Sequence, residues 1–496
     1  MKTSGTVTAA SASVDAAVSQ TADALLHAPN LPAPQKWLDR VCRDALLARL
    51  HDIQDAHLTV LEGRHIHRLG NASADLRATV TIHDPEAWRS IALNGSVGSG
   101  ESYMTGDWDC DDLPALVRIL ARNKDVLDRI DSGWASAGKY AMKAWNYFHR
   151  NSEKGSRRNI AAHYDLGNAM FEQFLDPTMM YSSAIFPRQD SSLEQASLYK
   201  LERICQKLQL TPKDHLIEIG TGWGAMALYA ASHYSCRVTT TTISEEQYQR
   251  TKERVEAAGL QDRITLLKQD YRQLEGEFDK LVSIEMIEAV GHQYLNTYFQ
   301  TIDRLLKPDG IALIQAITID DWRYEHAKSN VDFIKRYIFP GGFLPCATAI
   351  QQAMSRSTEL KTVHLEDITP HYAETLRRWR EAFLSRRNTI ESLGYDQTFI
   401  RLWDFYFAYC EGGFDERVIG TVQMVFAKPR NQRPPILSNL NTAMETRPLS
   451  LVLNNPRHAT VLSAVTNPST TVSGTPSTRS GASHPIHTEP KVMPWP

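Results

Sequence analysis

The chain has 496 residues, 42% of them apolar, enough to bury a substantial core in two or three domains of roughly 150 residues each. Its 54 basic and 57 acidic side chains leave a net charge of -3, which excludes a global attraction to nucleic acid or to an anionic membrane; any such patch must be local. The six cysteines form no CxxC pair and no His-rich cluster of metal spacing accompanies them, so a reduced, cytoplasmic chain without a bound metal is expected.

Residues 1–35 are rich in Ala, Ser and Thr and hold no continuous apolar core, so they read as a disordered segment rather than a secretory signal. Residues 36–138 read as a small α+β domain: "QKWLDRVCRDALLARL" is helical in its periodicity and "LRATVTIHD" alternates as a strand. The following "PEAWRSIALNGSVGSGESYMTGDWDCDDLPALVRIL" mixes turns with helical spacing. The stretch 139–158 sets six Lys/Arg against one Glu, interleaved with Trp145, Tyr147 and Phe148. That composition fits a membrane-contacting segment and a solvated linker equally well.

Residues 159–430 read as a second, larger domain. Its first part, "RRNIAAHYDLGNAMFEQFLDPTMMYSSAIF" (157–186), concentrates Tyr, Phe and Met behind two arginines, as a flap over an apolar substrate or an amphipathic helix would. From about 190, strand and helix alternate: "HLIEIG", a helix from Trp223, "CRVTTTTI", a helix from Glu245, "RITLLKQD", "FDKLVSIEM", a helix from Gln293, and "IALIQAITI". This alternation predicts an α/β fold with a parallel, doubly wound sheet. Residues 431–496 are dominated by Ser, Thr, Pro and Asn and read as a disordered tail. No run reaches the ~18 apolar residues of a spanning helix.

In "LIEIGTGWGAMALYAA" an apolar strand runs into Gly220, Gly222 and Gly224 and then a helix. Glycine is needed where the backbone turns sharply at a strand's carboxyl end and a ligand must approach closely. The loop satisfies the dinucleotide pattern, but the acid expected about 20 residues on is replaced by Thr240, Thr241 and Thr242, which weakens a nicotinamide reading. S-adenosylmethionine has no phosphates and needs only the close backbone approach, with Glu218 facing its ammonium group.

Six motifs in order, "HYDLGNAMFEQFLDPTMMYSSAIF", "EIGTGWG", "SIEMIEAVGHQYLNTYF", "FIKRYIFPGGFLP", "HYAETLRRWREAF" and "FYFAYCEGGFDERVIG", resemble those of the cyclopropane-fatty-acyl-phospholipid synthases, a family that includes the mycolic acid cyclopropane synthases. The resemblance covers about 60–428 and implies a class I S-adenosylmethionine-dependent methyltransferase (Rossmann-like) domain preceded by the smaller α+β domain. It implies methylene transfer to the cis double bond of an unsaturated phospholipid acyl chain, with no nucleic-acid partner; a methyl-branched or methylene lipid product, or N-methylation of a small amine on the same framework, stays open beside it. The implied setting is a homodimer associated peripherally with the inner, anionic face of a membrane.

For the cofactor, the resemblance implicates Tyr181, Ser182, Glu218, Gly220, Gly222, Gly224, Thr242, Gln247, Asp270 and Tyr271. For the chemistry it implies a bicarbonate ion as base, held by Glu288, Tyr372 and the backbone around Ile317. Ser183 and Gln315 stand where other members carry cysteine and histidine, and both can still donate to an anion. Cys410 matches a cysteine near the acyl pocket; a small buried hydrophobe has the same signature.

Overall fold

The computed structural model describes residues 36–123 and 167–436. The segment 1–35, the basic stretch 139–158 and the tail beyond 436 lie outside the described residues. Helix α1 (Trp37–Leu50) buries Cys42, Leu46 and Leu50 through their four-residue spacing. Strands β1 (His57–Glu62) and β2 (His65–Gly70) form a hairpin that the sequence analysis passes over. Glu62 pairs with His65, so Gly63 and Arg64 alone turn the chain, with Gly63 at φ 55. Strand β3 (Arg77–Ile82) runs parallel to β1 and β4 (Trp108–Cys110) antiparallel to β3, completing a sheet of order β2-β1-β3-β4. Helix α2 (Glu86–Thr105) is broken at Gly95, and α3 (Leu113–Arg122) is capped by Asp112, whose carboxylate accepts from Ala115 N–H at 2.9 Å.

The second half opens with one helical turn, Asn168–Phe171, and then α4 (Leu193–Leu208), started by a reciprocal Ser192/Gln195 cap. In order follow β5 (His215–Ile219), α5 (Ala225–Tyr234), β6 (Arg237–Thr242), α6 (Glu245–Ala257), β7 (Ile264–Lys268), β8 (Phe278–Ile284), α7 (Leu295–Leu305) and β9 (Leu306–Ile319). Among the described residues the last elements are α8 (Asp321–Ser329), α9 (Ala347–Ser357), β10 (Lys361–Asp367), α10 (Thr369–Ser385), α11 (Arg387–Ser392), α12 (Gln397–Asp415) and β11 (Ile419–Ala427). The sheet order is β10-β11-β9-β8-β5-β6-β7.

Strands β7, β6, β5, β8 and β9 are mutually parallel, with Ile217, Leu281, Val282 and Leu313 buried under helices on both faces. One strand differs from the parallel expectation: β11 pairs antiparallel with both β9 and β10, so β10 runs in the same direction as β9. An apolar run such as "IGTVQMVFA" carries no mark of strand direction. Strand order reverses between β5 and β8, and in an open α/β sheet a ligand crevice lies outside the carboxyl ends at such a point.

The two halves share one core, which runs from Leu46, Leu58 and Trp88 through Phe171 and Phe333 to Trp403 and Phe407. Close backbone approach makes this possible. A Cβ on Gly100 of α2 would overlap the Phe333 ring, and one on Gly412 of α12 would meet the Val117 side chain at 2.7 Å. Buried polar groups stitch the same seam: Tyr103 donates to Asp404 at 2.6 Å, and the other oxygen of Asp404 accepts from Arg380 at 2.6 Å. Beyond the expected boundary at 430, Arg433 still donates to the carbonyl of Lys207.

Candidate active site

The switch point puts the ends of β5 and β8 side by side, and one cavity of about 690 Å³ opens there. On the β5 side lie Glu218, Gly220 and Gly222. Gly220 (φ 100) and Gly222 (φ 54) both occupy the left-handed region, and no atom stands within 4 Å of where a Gly222 Cβ would be, so the loop presents bare backbone to open space. Gly224 differs: a Cβ there would meet Thr251 at 2.8 Å and the residue does not line the cavity, so its expected cofactor role gives way to helix packing.

Glu218 is buried and accepts from Thr240 Oγ1 at 2.6 Å; burial pushes its carboxyl up to about 8. Thr242 donates to Gln247 Oε1 at 2.8 Å, closing the end of β6. After β7, Asp270 is held by Arg272 at 2.7 Å, and the buried Tyr271 hydroxyl has no hydrogen-bond partner among the described residues. Bare glycines, an enclosed carboxyl and a free buried hydroxyl fit S-adenosylmethionine.

Beyond the end of β8 stand two carboxylates. Glu288, in the 3₁₀ turn Ile287–Ala289, accepts from Ile317 N–H at 2.5 Å, while its second oxygen is buried and without a partner. Burial, and next the neighbouring charge of Glu285, push the Glu288 carboxyl up to about 8. Glu285 is the residue that sequence reasoning missed, although "EMIE" displays it three positions before Glu288. Its Oε1 accepts from Ser183 N–H at 2.9 Å and from Gln315 Nε2 at 2.8 Å, and its Oε2 from Tyr372 OH at 2.7 Å.

This arrangement does not fit a bicarbonate ion. Gln315 and Tyr372, two of the expected donors, are already taken by the Glu285 carboxylate, which also accepts from Ser183 N–H, and Ile317 N–H is taken by Glu288. Ser183 and Gln315 are fully buried behind Glu285 and neither lines the cavity. The Ser183 hydroxyl donates to Ala184 O at 3.0 Å instead. Tyr372, Ile317 and Cys410 do line it. Burial raises the Cys410 thiol far above its usual range, so it is no thiolate at neutral pH. Among the described residues no group of three or more His, Cys, Asp or Glu could hold a metal.

Tyr181 and Ser182 line the same cavity. The Tyr181 and Tyr406 hydroxyls are 3.0 Å apart, and Ser182 accepts at 2.6 Å from Lys200, a buried lysine whose pKa burial lowers to about 8. Of the aromatic stretch before them, Met170, Phe171 and Phe174 are core residues rather than a flap; among its described residues only 179–182 reach the cavity. From there the cavity continues past Phe339 and Tyr406 into the amino-terminal half, between Leu46, Leu58, Val60 and Leu116.

A seven-stranded sheet with its last strand antiparallel, a glycine loop at the switch point and polar groups at successive strand ends define a class I S-adenosylmethionine-dependent methyltransferase fold. The profile described as Mycolic acid cyclopropane synthetase matches residues 151–424, more than half of the chain, which therefore belongs to that family. The chain is 38% identical over 408 residues to the tuberculostearic acid methyltransferase UfaA1 of Mycobacterium tuberculosis, spanning 80% of this chain and 95% of that protein. It is 37% identical over 360 residues to the cyclopropane-fatty-acyl-phospholipid synthase of Escherichia coli K12, spanning 72% and 89%. Among solved structures, mycolic acid cyclopropane synthase CmaA1 complexed with SAH and CTAB matches with a TM-score of 0.52 at 29% identity, covering 55% of this chain and 98% of that one. The protein is an S-adenosylmethionine-dependent methyltransferase of this family.

Proposed function

We propose that the protein transfers a one-carbon unit from S-adenosylmethionine to the cis double bond of an unsaturated phospholipid acyl chain and closes a cyclopropane ring. The observation that carries this reading is the continuity of one cavity from the glycine loop, past two carboxylates, into an apolar arm built by α1, β1 and α3. A small amine would not need that arm. In this reading Tyr181, Ser182, Glu218, Gly220, Gly222, Thr242, Gln247, Asp270 and Tyr271 hold the cofactor, and Tyr372, Glu288, Ile317 and Cys410 surround the reacting acyl carbons.

When bound, the cofactor supplies a methyl group already electrophilic on its sulfonium, so the chain needs no nucleophilic side chain. The alkene π pair forms the new C–C bond as the methyl–sulfur bond breaks with its electron pair returning to sulfur, and a cation is left on the adjacent carbon. Faces of Tyr181, Phe339 and Tyr406 stabilise that charge by roughly 0.5 to 2 kcal/mol. Removal of a proton from the new methyl then turns its C–H pair into the ring bond. A second reading, an open-chain methyl or methylene product, is favoured by the likeness to a tuberculostearic acid methyltransferase over 95% of that protein.

No described helix is long and apolar enough to cross a membrane, so this reading has the protein, as a homodimer, draw its substrate from the cytoplasmic face through basic contacts such as 139–158. The test is mass spectrometry of vesicles of monounsaturated phosphatidylglycerol incubated with the purified protein and S-adenosylmethionine. A gain of one CH₂ per chain is expected, with a ring resistant to hydrogenation. An unchanged lipid refutes the reading, and a branched or methylene chain selects the second.

A further inference from the structure

We propose that Glu285 is the proton acceptor of the reaction, a carboxylate built into the chain where the family resemblance implies a bicarbonate ion. The inference rests on the lipid-alkylation reading above and deepens it. Three donors from three elements converge on this one side chain: Ser183 N–H before α4, Gln315 Nε2 on β9 and Tyr372 OH on α10, at 2.7 to 2.9 Å. Two of them, Gln315 and Tyr372, are donors that an exogenous anion would require. An ionised carboxylate has about four lone-pair sites; three are taken, and the vacant one is on Oε2, the oxygen shared only with Tyr372. Glu285 itself lines the cavity between the glycine loop and Tyr372.

The backbone carries a second sign. Glu285 sits at φ 49, left-handed backbone that strains a non-glycine residue and persists only where the surroundings over-determine it. From that backbone the side chain meets Gln315 of β9 at 2.8 Å. A third sign is the division of labour with Glu288. Two carboxylates in one pocket cannot both ionise easily. Burial raises both carboxyls; against it Glu285 has Lys200 and its three donors, whereas Glu288 has only Ile317 N–H and is pushed further towards its neutral form by Glu285. Of the two, Glu285 is the one whose anion the surroundings hold, and it is the member that accepts the proton.

The step balances within the chain. As the proton leaves the transferred methyl for Glu285 Oε2, its C–H electron pair closes the ring; the neutral carboxylic acid then releases the proton to water after product leaves. No oxidant, reductant or exogenous base enters.

The experiment uses the full chain, S-adenosylmethionine and vesicles of monounsaturated phosphatidylglycerol in carbonate-free buffer. The wild type should keep its rate when bicarbonate is removed or restored. Glu285→Gln keeps the volume but is no longer basic, and should lose about a hundredfold or more in turnover while retaining cofactor affinity by calorimetry. Glu285→Gly suits the left-handed backbone and vacates Ser183 N–H, Gln315 and Tyr372. Added bicarbonate should raise its rate about tenfold while leaving the wild type unchanged. A wild type that needs bicarbonate, or a Glu285→Gln enzyme turning over within a few fold of normal, overturns the assignment while leaving lipid alkylation standing. A wild type that modifies no lipid overturns both.

Discussion

At the scale of single residues, Glu218 gives the free protein a pH dependence whose sign follows from its surroundings. Burial raises its carboxyl from 4.5 to about 8, so at neutral pH the free protein holds a proton there that the unfolded chain has released. Its contribution to stability is therefore fully present below the unfolded pKa and declines as pH rises through about 8. A cofactor ammonium facing Glu218 favours the ionised form, so binding at neutral pH expels this proton. Affinity for S-adenosylmethionine should then rise with pH, approaching about tenfold per pH unit below 8 and levelling above it. Calorimetry in buffers of different ionisation enthalpy measures the released proton directly. Glu218→Gln should bind with a pH-independent constant, and a wild type with no slope would detach this residue from the ammonium group.

At the scale of elements, the alternation from "HLIEIG" to "IALIQAITI" was legible because fully buried parallel strands are short apolar runs separated by amphipathic helices. Helix starts were misjudged by two residues at Trp223 and Gln293, where a left-handed Gly224 and a 3₁₀ turn, His292–Tyr294, precede Ala225 and Leu295. The hairpin β1–β2 was missed because its turn, Gly63–Arg64, lacks the Asn-Gly or Asp-Gly signature. In the site, residues on the glycine loop and strand ends were legible as cavity lining, whereas Gly224, Ser183 and Gln315 were not separable from it. Whether a glycine faces a ligand or a threonine, and whether a polar donor faces a cavity or a neighbouring carboxylate, is decided by partners far along the chain. Glu285 was hidden for the same reason: its partners lie at 183, 315 and 372.

One such long-range dependence is open to test at the seam of α3 and α12. Gly412 lets the helices touch, with Pro114 O 3.1 Å and Val117 2.7 Å from the position of its missing Cβ. Gly412→Leu should cost about 1–3 kcal/mol through overpacking, read as a lower denaturant midpoint at unchanged slope. Unchanged stability would mean that the helices separate freely, and the shared core would then need another explanation.

At the scale of the whole molecule, the question is what the amino-terminal half supplies. CmaA1 matches only 55% of this chain yet nearly all of itself, so a fold of the catalytic half stands alone in that relative. In this chain, residues 36–123 cover Phe333, Phe405 and the open side of α12, and their Leu46, Leu58, Val60 and Leu116 line the far arm of the cavity. The groups assigned to the cofactor all come from 181–271, on or beside the large sheet. A piece spanning 167–436 should therefore bind S-adenosylmethionine within a few fold of the full chain, because its loop, β6 and β7 keep their neighbours. It should also expose the apolar surface beneath α2 and α3, bind hydrophobic dye, and turn over vesicle lipid far more slowly, since the acyl chain loses the walls that exclude water from it. Adding back residues 36–123 in trans should suppress the dye signal before it restores any turnover, because the shared core must reform before the arm is enclosed. Full lipid turnover by the isolated piece would show that the acyl chain does not use the arm, and that the amino-terminal half serves stability alone.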